Sequence, residues 1–227
     1  MEWGFYKIST MCFCCKKYEL QILSTPVYLL HYLFVCWWMT HFFLHGWKAT
    51  IDSERNKSFF QALCKHSKHI LVFPFGLDRE EEWYIVYRNC FIENNGDKKF
   101  SVVCAHRDTP SLIEQIKNSD ILFFSGWKPY KHFDVINKIE NLKEIIKDKI
   151  IAGTSWWAIM RAQAYYSANA ENCREGNSSI PIKLIAHRWS QKYPWRSWKE
   201  REKLLDTFWE KLPIYTIPEQ EYIEFTL

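Results

Sequence analysis

This sequence predicts an α/β fold, a doubly wound and mostly parallel sheet with helices on both faces. Three observations carry that prediction. Short apolar runs alternate with longer, mixed segments from residue 41 onward. The short runs are apolar on consecutive residues, as strands buried on both faces must be. After most of them comes helix-start chemistry rather than a hairpin turn, the pattern of strand-helix-strand units.

Strands are expected at 41 to 45, 69 to 74, 100 to 104, 120 to 124, 149 to 152 and 182 to 186. Between them, Ser53 to Lys65 opens on a capping serine, and Asp78 to Glu93 opens on an aspartate and an acidic first turn, where negative charge meets the positive end of the helix. Thr109-Pro110-Ser111 starts a short helix through Lys117, with proline where its missing N–H does no harm. Tyr130 to Lys147 places Phe133, Ile136, Ile139 or Leu142, and Ile146 on one apolar stripe. A helix-compatible segment runs from Ala158 to Tyr166, and Ser167 to Pro181, rich in Asn, Ser and Glu, reads as irregular. The tail predicts a helix from Trp198 to Leu212 and a late strand pair, Ile214 to Pro218 and Tyr222 to Thr226.

The 227 residues suffice for one substantial core. With 48% hydrophobic and 25% charged residues the chain is an ordinary globular one. A net charge of +4 is too mild for a nucleic-acid partner, and Lys143, Lys147 and Lys149 alternate with Glu140, Glu144 and Asp148 as on a solvated helix face. Residues 26 to 45 are the most apolar stretch, but His31, His41 and His45 interrupt it, which argues against a membrane anchor. The domain is expected to span residues 39 to 227, with residues 1 to 38 an apolar, Cys-rich extension or a gene-start error ahead of Met39. Cys64, Cys90, Cys104 and Cys173 stand singly beside largely apolar residues. That pattern suits reduced thiols in a cytoplasmic compartment. Cys12-x-Cys14-Cys15 has a metal-like look without a matching His/Cys pair.

Chemistry concentrates at Ser155, in Ile150-Ile151-Ala152-Gly153-Thr154-Ser155-Trp156-Trp157-Ala158. A serine directly after a buried strand and directly before a helix can be a nucleophile elbow, which lifts the hydroxyl above the sheet and aims main-chain amides at the same spot. It can equally be a helix cap. The preceding strand ends Phe123-Phe124-Ser125-Gly126-Trp127, and the first runs into Leu44-His45-Gly46-Trp47. A strand ending in Gly-Gly, a helix of some 15 residues and a strand leading to Gly-x-Ser-Ala-Gly-Ala resembles the peptidase E and cyanophycinase family of serine peptidases. The resemblance covers residues 39 to 226.

It implies a class I glutamine amidotransferase-like fold with Ser155 in place of the cysteine nucleophile. It also implies a Ser-His-acid triad that cuts a small peptide, with no metal or organic cofactor. His187, ending a strand in Leu184-Ile185-Ala186-His187, fits the general base, without which a serine hydroxyl is a poor nucleophile. His106 is its rival. Glu171 is the choice for the acid, with Glu175 beside it. Oxyanion donors are expected at the amides of Trp156 and of Gly126 or Trp127. Relatives that favour acidic substrates need a cationic pocket, for which Arg107, Arg161 and Arg188 are available.

One departure runs through all the motifs. Trp47, Trp127, Trp156 and Trp157 stand where the family has small residues, in a chain with 7 Gly and 12 Trp. Gly is thus about 3% of the chain, against a usual 7%. A gene in which UGA means glycine, translated with a table that reads UGA as tryptophan, produces this signature. The expectation is that these four, and Trp38, Trp189, Trp195 and Trp198 with them, are glycine in the organism, and that Trp83 is genuine. The other explanation is a decayed, inactive homologue that keeps the fold as a binding or regulatory protein.

Overall fold

The structure is a computed structural model and describes residues 40–47, 49–50, 52–66, 68–95, 100–128, 130–177, 179–186 and 197–226. Five of the six strands predicted from apolar runs, joined by the last strand of the tail, form a six-stranded sheet; the sixth, 182 to 186, falls in a second one. The members of the six-stranded sheet are β1 (His41–His45), β2 (His69–Phe73), β3 (Ser101–Cys104), β4 (Ile121–Phe124), β5 (Ile150–Thr154) and β10 (Tyr222–Thr226), in the order β10-β1-β5-β4-β2-β3. All neighbours are parallel except β10, which runs antiparallel along β1.

Alternate residues of each strand feed opposite faces, and both faces are covered. Phe43, Ile70, Val72, Ile121, Phe123, Ile150 and Ala152 pack against Phe59, Phe60 and Leu63 of α1 (Glu54–His66) and Tyr87 and Phe91 of α2 (Glu80–Asn94). Phe42, Leu44, Leu71, Phe73, Leu122, Phe124 and Ile151 face α3 (Thr109–Lys117), α4 (Tyr130–Ile136) and α6 (Ser155–Ile159). The sheet is therefore doubly wound, as the continuous apolar runs require.

A second sheet departs from the single-sheet expectation. β6 (Ala162–Ser167), β7 (Asn172–Glu175), β8 (Ile180–Ala186) and β9 (Ile214–Ile217) order as β7-β6-β8-β9. The helix expected at Ala158 to Tyr166 stops at Ile159, because β6 pairs with β7 and β8 at once and that pairing overrides the local helical preference of its alanines. The stretch from Ser167 to Pro181 is a hairpin rather than irregular chain. The tail strands do not pair with each other, since β9 extends the second sheet and β10 the first.

Local chemistry explains the remaining boundaries. Ser53 caps α1 through the Asn56 N–H at 3.2 Å. Asp78 does not cap α2; it binds Lys128 instead. The Tyr130 to Lys147 helix breaks after Ile136 and resumes as the short α5 (Leu142–Ile145), with Asn141 left-handed at φ 55°, a conformation asparagine tolerates. Helix α7 (Trp198–Thr207) starts on a Ser197/Glu200 capping box. At its other end the buried Lys183 of β8 donates to the carbonyls of Leu205 and Asp206 at 2.8 and 3.0 Å, placing positive charge where a helix wants it. Among the described residues no cysteine is in a disulfide; Cys64 is buried, whereas Cys90, Cys104 and Cys173 are only half-buried. No helix among them is long and apolar enough to cross a membrane. Residues 1 to 38, with Cys12, Cys14, Cys15 and most of the apolar stretch, lie outside the described residues.

Candidate active site

The parallel register gathers the site. His45 pairs with Thr154, and Gly153 with both Leu44 and Phe124, so β1, β5 and β4 end level with one another. The residues that follow, Gly46-Trp47, Ser155-Trp156 and Ser125-Gly126-Trp127, therefore meet above the sheet's C-terminal edge, where open α/β sheets bind their ligands.

Ser155 has φ 54° and is 8% exposed. A non-glycine residue held left-handed costs about 1–3 kcal/mol and persists where its surroundings enforce it. Here the enforcement is close contact. A Cβ on Gly126 would lie 2.7 Å from the Ser155 Cβ and 2.9 Å from the Thr154 carbonyl oxygen. Gly126 must therefore be glycine for lack of room, without any positive φ of its own. Helix α6 has only five residues. A helix this short offers a local amide, that of Trp156, rather than a long helix dipole.

The Ser125–Lys128 turn is braced from behind. The Ser125 N–H donates to the Phe73 carbonyl at 3.0 Å, and the Lys128 N–H to Gly76 at 3.0 Å. His132 Nε2 lies 3.0 Å from the Ser125 carbonyl oxygen and 3.4 Å from its hydroxyl. Burial lowers the His132 pKa to about 3, and the charges of Arg161 and Arg107 act in the same direction, so the ring is neutral. On the other side, Tyr87 bonds the Thr154 side chain, and its burial pushes the phenol up to about 12. His45, next to Gly46, holds the Asn56 side chain at 3.0 Å.

A cavity of about 30 Å³ opens beside Ser155, walled by Trp47, Trp127, Trp156, Ile159 and the start of the β6–β7 turn. That is room for a water or two, and far less than a small-molecule site needs. Three of the four tryptophans that replace small residues thus line it. Trp127 is left-handed at φ 76° with its ring half-exposed. The indole N–H groups of Trp156 and Trp157 are buried with no acceptor, each a cost of about 1–3 kcal/mol. Trp157 is otherwise well packed, stacked on Phe124 at 4.4 Å with its ring close over Gly153. Trp83 is half-buried beside Tyr87 and packs against the edge of the core. Trp209 is also left-handed, at φ 67° just after α7, the place where helices most often carry glycine.

The other predicted residues divide. His187 and Arg188 lie outside the described residues, as do Trp38, Trp189 and Trp195. Glu171 is exposed at φ 50° in the turn whose first residues, Ala168 and Asn169, wall the cavity; Glu175 ends β7, also exposed. His106 follows the edge strand β3, three strands from β5, and faces Asp108 at 3.5 Å. Strands lie about 4.8 Å apart, which puts it out of reach of Ser155. Arg161 lies over Trp157 at 4.1 Å, and burial lowers its pKa to about 9; it lines a separate cavity of about 40 Å³. Arg107 pairs with Glu80. Sequence reasoning missed His132, although its signal was present: a polar residue on the apolar stripe that continues through Val135 and Ile136.

No protein-family model and no curated protein matches the chain. Solved structures do. One is a peptidase from an acI-B1 Actinobacterium, 19% identical, with a TM-score of 0.58 over 83% of this chain and 84% of that one. Another is a protein from Listeria monocytogenes EGD-e, named provisionally as a Peptidase E, 13% identical, with a TM-score of 0.51 over 83% of this chain and 99% of its own. At these identities the likeness is one of architecture: the chain has an α/β fold of the peptidase E type.

Proposed function

We propose that this protein is a serine-type peptidase that hydrolyses an amide bond in a small peptide, with Ser155 as the nucleophile. The observation that supports it most is the left-handed Ser155 on a strand-to-helix turn at the end of the central strand β5, the geometry that exposes a nucleophile to its substrate. His187 takes the hydroxyl proton as Ser155 attacks and returns it to the leaving amine; Glu171 orients the imidazole. The amides of Trp156 and of Gly126 or Trp127 receive the oxyanion. The peptidase names of both structural neighbours agree with this reading. Arg107 pairs with Glu80, and Arg161 lies over the Phe124 and Phe133 rings and reaches the Ser179 hydroxyl at 3.5 Å, so a preference for an acidic residue at the cleavage site falls to Arg188. A reducing, cytoplasmic setting suits thiols that, among the described residues, form no disulfide.

The reading includes glycine at positions 47, 127, 156 and 157 in the working protein. The half-exposed, left-handed Trp127 and the orphaned indole N–H groups support it. A second reading, an inactive binding or regulatory relative, is favoured by the same tryptophans if they are real, because Trp47, Trp127 and Trp156 wall a cavity of only about 30 Å³ beside Ser155. Two measurements separate these. The codons at 156 and 157 are expected to be UGA, and UGG at both would remove the recoding argument. A fluorophosphonate probe is expected to label Ser155 in the chain with the four glycines and not in its Ser155→Ala variant; a glycine-bearing chain that stays unlabelled would make it the binding protein.

A further inference from the structure

The buried histidine that this mechanism leaves unused is His132. It sits on the apolar face of α4 between the rings of Phe75 and Phe124, at centroid distances of 6.0 and 5.6 Å. An apolar side chain would fill this place at no polar cost, whereas imidazole brings two nitrogens that need partners. Only one has a partner. Nε2 meets the Ser125 carbonyl at 3.0 Å, and Nδ1 is buried with none. A carbonyl can only accept, so Nε2 carries the proton and Nδ1 is a bare lone pair. That assignment also excludes Ser125 and His132 as a second nucleophile pair, since a nitrogen whose proton points at the carbonyl cannot take one from the hydroxyl.

The Ser125 carbonyl belongs to the peptide that joins Ser125 to Gly126. That unit is planar and trans, so the Gly126 N–H points opposite the carbonyl and cannot turn without it. Gly126 in turn lies against Ser155. Gly76 packs behind this turn: a Cβ there would lie 2.7 Å from His132 Nε2 and would clash with the carbonyl oxygen of the next peptide, that of Gly126, at 2.2 Å. We infer that His132 is a positioning residue: by donating to the Ser125 carbonyl it fixes the orientation of the Gly126 amide that the oxyanion will meet.

The inference rests on the peptidase reading for its purpose but not for its geometry, and the test separates the two. His132→Leu and His132→Gln are compared in the full chain, both as it stands and with glycine at 47, 127, 156 and 157. Glutamine can present an N–H where Nε2 stands; leucine cannot. Two quantities are read, the rate of fluorophosphonate labelling at Ser155 and the amide 1H–15N signal of Gly126. The leucine variant is expected to label at least about tenfold more slowly with the Gly126 signal displaced. The glutamine variant is expected to recover both, and the pH dependence of labelling is expected to keep its shape, because the buried His132 ring is already neutral and takes no proton during labelling. Normal labelling in His132→Leu, or a glutamine variant as slow as leucine, overturns the inference. If no version labels, the peptidase reading falls, and the Gly126 signal decides alone: displaced by leucine and restored by glutamine sustains the positioning role, and undisplaced refutes it.

Discussion

Comparing Trp127→Gly with Trp127→Ala tests the backbone at the mouth of the site with one sign. Both variants remove the same half-exposed indole, so the lost burial cancels between them. What remains is the backbone. At φ 76° an alanine keeps a left-handed strain of about 1–2 kcal/mol, whereas glycine has none but gives up about 0.5–1 kcal/mol of chain entropy on folding. The difference favours glycine by roughly 0.5–1 kcal/mol, or about 1–4 °C in Tm for a domain of this size. At Trp156, inside α6, the order must reverse, with alanine above glycine by about 1 kcal/mol. Thermal melts and urea titrations of the four variants measure both signs. An alanine variant at 127 as stable as the glycine variant would show that the turn does not hold a left-handed residue there, and would remove the strain from the case for recoding.

Further expectations follow from contacts around the site. Gly126→Ala would press its methyl to 2.7 Å from the Ser155 Cβ, where about 3.5–4.0 Å is comfortable; the resulting shift of about 1 Å should slow probe labelling of Ser155 roughly 100-fold in the glycine-bearing chain, and an unchanged rate would refute the close approach. Lys183→Met should cost about 1–3 kcal/mol in denaturant titrations by leaving the Leu205 and Asp206 carbonyls without their donor. His132 gives stability a pH dependence. Its folded pKa of about 3 lies below the ordinary 6.5, so between those values the unfolded chain binds the extra proton and stability falls with acidification by about 1.4 kcal/mol per pH unit. Neither state is protonated above that window, and His132→Gln should remove this contribution within it.

The main sheet was legible because its strands are buried on both faces, and runs such as Ile121 to Phe124 have no other reading. Its order, its register and the second sheet were not. Ala162-Gln163-Ala164 is helix-like by local preference, and only partners far along the chain, Ile180 to Ala186, make it a strand. Ser155 was found from its place between a strand and a helix; its positive φ was not visible, because serine carries no sign of it. His132 could have been noticed as a polar residue on an apolar stripe. Nothing local ties it to Ser125, a bond that arises only when α4 folds back over the end of β4.

The antiparallel pairing of β10 along β1 has a consequence for how the protein is made. The Gly46 N–H is held by the Glu221 carbonyl at 2.8 Å, and Trp47 accepts from the Gln220 N–H at 3.0 Å, so one wall of the pocket depends on residues synthesised some 170 positions later. During translation the first strand has its parallel neighbour β5 in hand while the segment that fixes its far end is still inside the ribosome. Contacts that distant in sequence form late and slowly. A nascent chain could thus complete most of its core, and carry Ser155 on its turn, before the wall beside it closes. The pocket beside Ser155 would take its final shape only when β10 joins β1.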